Sequence, residues 1–283
     1  MKWPLHLQFA SRLVPLLPNL GYGINVYPHL NFDTINDLAK NNLVTGLPKF
    51  KYHKEHLCLS CEQGKSKKVS HPPKPVPNSK QRLHLLHMDL WVPMRIESIN
   101  RKQYVLVIVD DYSHYTWVHF LISKDKALEE IKIFLKKITV LLQAPVIIVK
   151  TKNNTVFKNQ VIQEYFNSVG ISDQYSFVRT PQQNRVTKRR NRTLVEAART
   201  MLIFSYAPLF LWAEAIATAC YTQNRSIIHC RFDKIPYELI NGRKQDISFL
   251  TPSKFSNAAE YHFVMLLHSP YAQVTENDIK RGI

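Results

Sequence analysis

The stretch Tyr104-Val-Leu-Val-Ile-Val-Asp110 decides how this chain is read. It is apolar between its ends, rich in β-branched residues and too short for a buried helix, so it predicts a central strand. Asp111-Tyr112-Ser113 is a turn signal, and Tyr115–Leu121 then predicts the hairpin partner. Upstream, Leu85–Leu90 predicts a further short strand. Downstream, Asp125–Leu142 places Ala127, Ile131, Phe134/Leu135, Ile138 and Leu141/Leu142 on one helical stripe, and Pro145 stops it. Val146–Val149 predicts a buried strand, Asn159–Val169 a helix closed by Gly170, and Gln174–Phe177 a last strand. Two long helices follow, over about 185–204 and 208–228. Strands in succession, then strands alternating with helices, predict an α/β fold layered around one mixed sheet.

Composition narrows the function. The 283 residues carry 38 Lys+Arg against 21 Asp+Glu, a net charge of +17 with histidines neutral. Such an excess points to a polyanionic partner, nucleic acid first. Seven glycines against 16 prolines, with no phosphate-cradling glycine motif, argue against a nucleotide-binding loop. The cysteines Cys58, Cys61, Cys220 and Cys230 are too few and too unevenly spaced for a disulfide scaffold, which predicts a reducing, intracellular setting. The apolar stretch from Ala207 to Ala219 is broken by Glu214 and falls short of a bilayer span, so no membrane is expected. Residues 1–20 lack the compact apolar run of a secretory signal.

The chain divides by composition. Residues 1–25 read as an irregular leader. Residues 26–68 form a small module with a helix over Asp33–Asn41, capped by Asp33 or Thr34. Residues 69–82 are a basic linker holding Pro72, Pro73, Pro75 and Pro77 and no acid. The main domain covers 83–247, and 248–283 is a weakly patterned tail. Within the main domain Asp89 sits near a strand end, where a carboxylate can hold a divalent ion. One acid does not make a two-metal site, and a structural role is the plainer reading.

The strings His56-Leu-Cys-Leu-Ser-Cys61, Leu86-His-Met-Asp-Leu90, Leu106-Val-Ile-Val-Asp-Asp-Tyr-Ser113, Arg179-Thr-Pro-Gln-Gln-Asn184 and Arg189-Arg-Asn-Arg-Thr-Leu-Val-Glu-Ala-Ala-Arg-Thr-Met-Leu202 share order and spacing with a known family. Over about residues 29–247 the chain resembles the integrase region of copia-type retrotransposon Pol polyproteins, with the GAG-pre-integrase zinc module in front. The resemblance implies a ribonuclease H-like core of mixed sheet and flanking helices, and a small helical zinc-binding-type module before it. It implies DNA (retrotransposon ends and target duplex) as partner, RNA as a second polyanion for the same surface, a nuclear location and an oligomer.

That family joins DNA with two Asp and one Glu holding Mg²⁺. The first acid matches Asp89. The second position falls on Lys152 in Thr151-Lys-Asn-Asn-Thr-Val-Phe157, and the third on Lys188, after Pro181-Gln-Gln-Asn-Arg-Val-Thr187. A charged lysine has three donors and no lone pair for a metal. The resemblance therefore implies an integrase-like chain without bound Mg²⁺ and without catalysis, in which Asp89 lies close to Lys152 and Lys188. Asp110 and Asp111 read as turn and strand-end structure instead of substitute ligands. The zinc set matches at His29, Cys58 and Cys61, but its first histidine position is Ile24, so zinc has an incomplete set and weak retention. Arg179, Arg185, Lys188, Arg189, Arg190 and Arg192 cluster at a helix start that lies beside DNA in the family, which implies phosphate contact. Two other readings stand beside this one: a nucleic-acid-binding module without catalysis, and an unselected transposon remnant.

Overall fold

The computed structural model describes residues 31–45, 47, 63–64, 79–91, 94–151, 157, 159–175, 185–204 and 207–246. The described parts of 68–193 and 229–243 form one compact unit, and those of 1–67, 194–228 and 244–283 another.

The first unit is built on five strands: β1 (Leu85–Leu90), β2 (Tyr104–Asp110), β3 (Thr116–Leu121), β4 (Ile148–Thr151) and β5 (Ser172–Tyr175). Their order is β3-β2-β1-β4-β5. β1 and β2 pair antiparallel, as do β2 and β3, whereas β1–β4 and β4–β5 are parallel. A hairpin-linked antiparallel half joined at its first strand to a parallel half is the ribonuclease H-like arrangement, so the fold expected of the core is met. β1 and β2 are interior strands, and this explains their composition. Leu86, Leu106, Val107, Ile108 and Val109 are fully buried, and strands covered on both faces read as continuous apolar runs.

Helix α1 (Ala127–Leu142) buries Ala127, Ile131, Phe134, Leu135, Ile138 and Leu142. Leu141, expected on that stripe, is 67% exposed because it falls at the edge of the buried face in the last turn. Helix α2 (Gln160–Ser168) begins at Asn159, whose side chain accepts from the backbone N–H of Val161, and it buries Ile162 and Phe166. β4 and β5 each lie about two residues from their expected positions. Parallel pairing decides this: Leu85 stands opposite Ile148 and Met88 opposite Thr151, so Val146 and Ile147 become the approach to the strand. Ser172 in turn aligns with Ile148, which carries a polar Ser-Asp-Gln-Tyr strand to the sheet edge.

Arg82, placed by composition at the end of the linker, is tied into the first unit. One guanidinium nitrogen donates to the Ile240 carbonyl at 2.8 Å and another to the Leu142 carbonyl at 3.1 Å. It thus satisfies a terminal carbonyl of α1 and one of a short helix, Pro236–Asn241, which no periodic pattern had signalled.

Helix α3 (Arg185–Phe204) contributes residues 185–193 to the first unit and the rest to the second. In the second unit α4 (Trp212–Ser226) is buried along nearly its whole length. The helix Phe32–Lys40 is capped by Asn31, whose side chain accepts from the Asp33 N–H, and not by Asp33 or Thr34 as expected. Cation-bearing Arg225 is buried there, its guanidinium 3.6 Å from the Tyr221 ring centroid. Val44–Thr45 pairs in parallel with Gln245–Asp246. Gly64 packs so closely on Thr200 that a Cβ would collide with its side chain and Cα. Among the described residues no helix is long and apolar enough to cross a membrane.

Candidate nucleic-acid interface and remnant acidic site

Side chains alternate along β1, so His87 and Asp89 project from the same face of the sheet. Asp89 is paired across the ladder with Val107 and is 7% exposed. The Asn191 side-chain amide donates to its Oδ2 at 2.9 Å, which brings α3 over the end of β1. Lys188 precedes Asn191 by three residues, so it stands about one helical turn away along α3. It is exposed. The structure therefore brings Asp89 and the first turns of α3 together. Lys152 lies outside the described residues, and β4 ends just before it at Thr151.

His87 and the two strand-end acids are already engaged. Asp110 is fully buried, and accepts from the Leu83 N–H and from both the N–H and hydroxyl of Ser113. Burial pushes its carboxyl above the ordinary aspartate value in spite of those donors. Asp111 accepts from the Ser79 hydroxyl at 2.9 Å and pairs with His87 Nε2 at 2.9 Å. Burial by itself would raise Asp111, but bonds from His87 and Ser79 leave it below the usual value. Both acids hold the turn between β2 and β3, as expected. Neither is offered to a metal.

A second polar cluster lies beside them. His114, in the left-handed region at φ 59°, stacks on His229 with ring centroids 4.4 Å apart. Burial, with His229 and Arg190 nearby, drives the His114 imidazole down to about 4. Burial lowers His229 as well. The guanidinium of Arg190 donates to the His114 carbonyl at 2.9 Å.

The predicted basic residues thus separate. Lys188, Arg189 and Arg192 are exposed on α3, whereas Arg190 is half-buried and turned toward the β2–β3 turn. Its placement differs from the expected phosphate contact because adjacent helical residues point about 100° apart. Arg185 opens the helix. Arg179 and the zinc-type residues His29, Cys58 and Cys61 lie outside the described residues. Asn191, His114 and His229 were not singled out in the sequence. Asn191 had a signal: it falls one turn beyond Lys188, so a helix starting at Arg185 carries both over one strand end.

No protein-family model matches the chain. It is 31% identical over 204 residues to the retrovirus-related Pol polyprotein of transposon TNT 1-94 from Nicotiana tabacum, an alignment covering 70% of this chain and 15% of that protein. It is 26% identical over 205 residues to the transposon Ty1-DR6 Gag-Pol polyprotein of Saccharomyces cerevisiae, covering 69% and 12%. Its homologues are the Pol polyproteins of copia- and Ty1-type retrotransposons. The Pol-related chain spans about one seventh or less of the length of these relatives. Among solved structures it is similar to the HTLV-2 integrase catalytic core domain in complex with magnesium, at 21% identity, TM-score 0.43, and coverage of 56% of this chain and 97% of that one. An integrase-like region of a retrotransposon Pol polyprotein, the reading drawn from the motifs, agrees with these relatives and with the sheet order.

Mg²⁺ is implied by the family, and the residues here do not suit it. Mg²⁺ takes oxygen ligands in near-octahedral geometry. Asp89 supplies one carboxylate, and Asn191 presents its N–H to that carboxylate, while Lys188 is exposed three residues earlier on α3. No group of three or more His, Cys, Asp or Glu able to hold a metal comes together among the described residues.

Proposed function

We propose that this Pol-related chain is an integrase-like DNA-binding protein that holds the duplex backbone and does not join strands. The reading rests on one observation above the others. The carboxylate of Asp89 is bonded to Asn191, three residues along α3 from Lys188, the residue that the motif spacing matches to the family's third acid.

One carboxylate already held by an amide N–H, with lysines at the motif positions of the other two acids, disfavours Mg²⁺ capture, because an ammonium offers no lone pair. Without clamped metal there is nothing to activate a hydroxyl for attack on phosphorus or to stabilise the leaving oxygen. The binding half survives that loss. Lys188, Arg189 and Arg192 lie exposed near the start of α3, where the helix dipole favours phosphate. Such contacts are indifferent to sequence and release counterions.

The test is a strand-transfer assay in Mg²⁺ or Mn²⁺, run beside duplex-DNA binding over a range of salt. The account expects no joined product, and an affinity that falls with salt at a log–log slope of about −2.7 or steeper, for three or more neutralised phosphates. Joining that disappears in Asp89→Asn would overturn the inactive reading. Absence of salt-dependent binding would leave the chain as a remnant with no retained role.

A further inference from the structure

The basic cluster at the start of α3 is not of one kind. With successive residues about 100° apart, Lys188, Arg189 and Arg192 fall within roughly a third of the helix circumference. Thr187, Arg190 and Asn191 fall on an arc centred opposite, where Asn191 is the member nearest Lys188, at about 60°. Burial follows the same division: Thr187 is 3% exposed, whereas Lys188, Arg189 and Arg192 are exposed. Two neighbouring side chains on the inner face grip different parts of the sheet end. Asn191 donates to Asp89 on β1, and Arg190 donates to the backbone carbonyl of His114 in the turn after β2.

That turn is a firm support. Asp110 ties it through Leu83 and Ser113, and His114 is backed by the His229 ring, which itself packs on Phe232. A backbone carbonyl is also a target that side-chain changes in the turn leave in place.

Resting on the DNA-binding reading above, we infer that Arg190 is a positioning residue: its bond to His114 fixes the rotation of α3 that turns Lys188, Arg189 and Arg192 toward phosphate. Arg190 itself takes no phosphate. Without the bond the first turns of α3 sample other rotations, and only a fraction of molecules present the three cations together. Apparent affinity falls by that fraction, because the chain must first recover the competent pose. The complex that forms is unchanged, so its count of neutralised phosphates is unchanged.

Salt dependence separates the two roles. In full-length protein, duplex-DNA affinity is measured from low to moderate salt for wild type, Arg190→Met, Arg190→Lys and Arg189→Gln, together with amide hydrogen exchange over 186–192. Arg189→Gln is expected to reduce the slope magnitude by about 0.9. Arg190→Met is expected to bind roughly tenfold more weakly, the size of one charge-assisted hydrogen bond, with the wild-type slope and faster exchange in the first turns of α3. Arg190→Lys, which keeps a donor for the His114 carbonyl, is expected to recover most of that affinity. A slope reduced by about 0.9 in Arg190→Met would make Arg190 a phosphate ligand and overturn the inference. Unchanged affinity with unchanged exchange would overturn it equally. If wild type does not bind DNA, the functional reading fails, and the exchange data alone still decide whether Arg190 fixes α3.

Discussion

At the scale of single residues, the chain shows how much of an apparently catalytic neighbourhood is structural. Asp89, Asp110 and Asp111 are close in sequence to acidic motifs, yet each is bound by donors from its own fold. The histidine pair has a measurable consequence. His114 is held at about 4, so the unfolded chain takes up its proton near 6.5 while the folded chain does not. The unfolded state binds more protons in that window, and stability therefore rises with pH from about 4 to 6.5. His229 and Asp111, both lowered, act in the same direction on acidification. The contribution of His114 is at most about 3 kcal/mol. Urea unfolding at pH 4.5 and 7 is expected to show it, and His114→Asn, which tolerates the left-handed backbone and keeps the carbonyl for Arg190, is expected to flatten the difference. An undiminished pH slope in that variant would assign the effect elsewhere.

At the scale of elements, legibility tracked the strength of local pattern. β2 was readable because an interior strand with no polar face gives an unbroken apolar run, and α3 because its full length matched the helical period. The strands β4 and β5 were displaced by two residues because their limits are set by partners distant in sequence. The helix Pro236–Asn241 escaped notice, being too short to show a period. Motif spacing singles out Asp89 and Lys188, and the structure puts Asp89 against Asn191 of the helix that carries Lys188. The inward turn of Arg190 was not legible, because a run of bases does not mark which of its members faces the core. Caps were only partly legible: the side-chain oxygens of Asn159 and Asn31 accept from the backbone N–H two residues ahead. The C-terminus of α1 carries a correctable flaw, Gln143 at φ 49°. Glycine meets no Cβ penalty there, and Gln143→Gly is expected to stabilise the fold by about 0.5–1 kcal/mol in chemical denaturation. No gain would mean that the Gln143 amide bond to the Val140 carbonyl compensates for the strain.

At the scale of the whole molecule, a net charge of +17 suits a partner with a phosphate backbone, and residues distant in sequence hold the first unit together. Arg82 joins helix ends that are 60 and 158 residues away in sequence. Losing two charge-assisted bonds at once, Arg82→Ala is expected to cost about 2–4 kcal/mol, with the unfolding transition moving to lower denaturant at unchanged slope. A shift under about 0.5 kcal/mol would show that water serves those carbonyls equally well. The central claim is the proposal that lysines at the motif positions of two family acids leave no site for Mg²⁺. Its most direct test is a calorimetric Mg²⁺ titration of wild type beside Lys152→Asp/Lys188→Glu. The account predicts no saturable binding by wild type and a new site in the double variant that Asp89→Asn abolishes. Saturable Mg²⁺ binding by wild type, lost in Asp89→Asn, would contradict it.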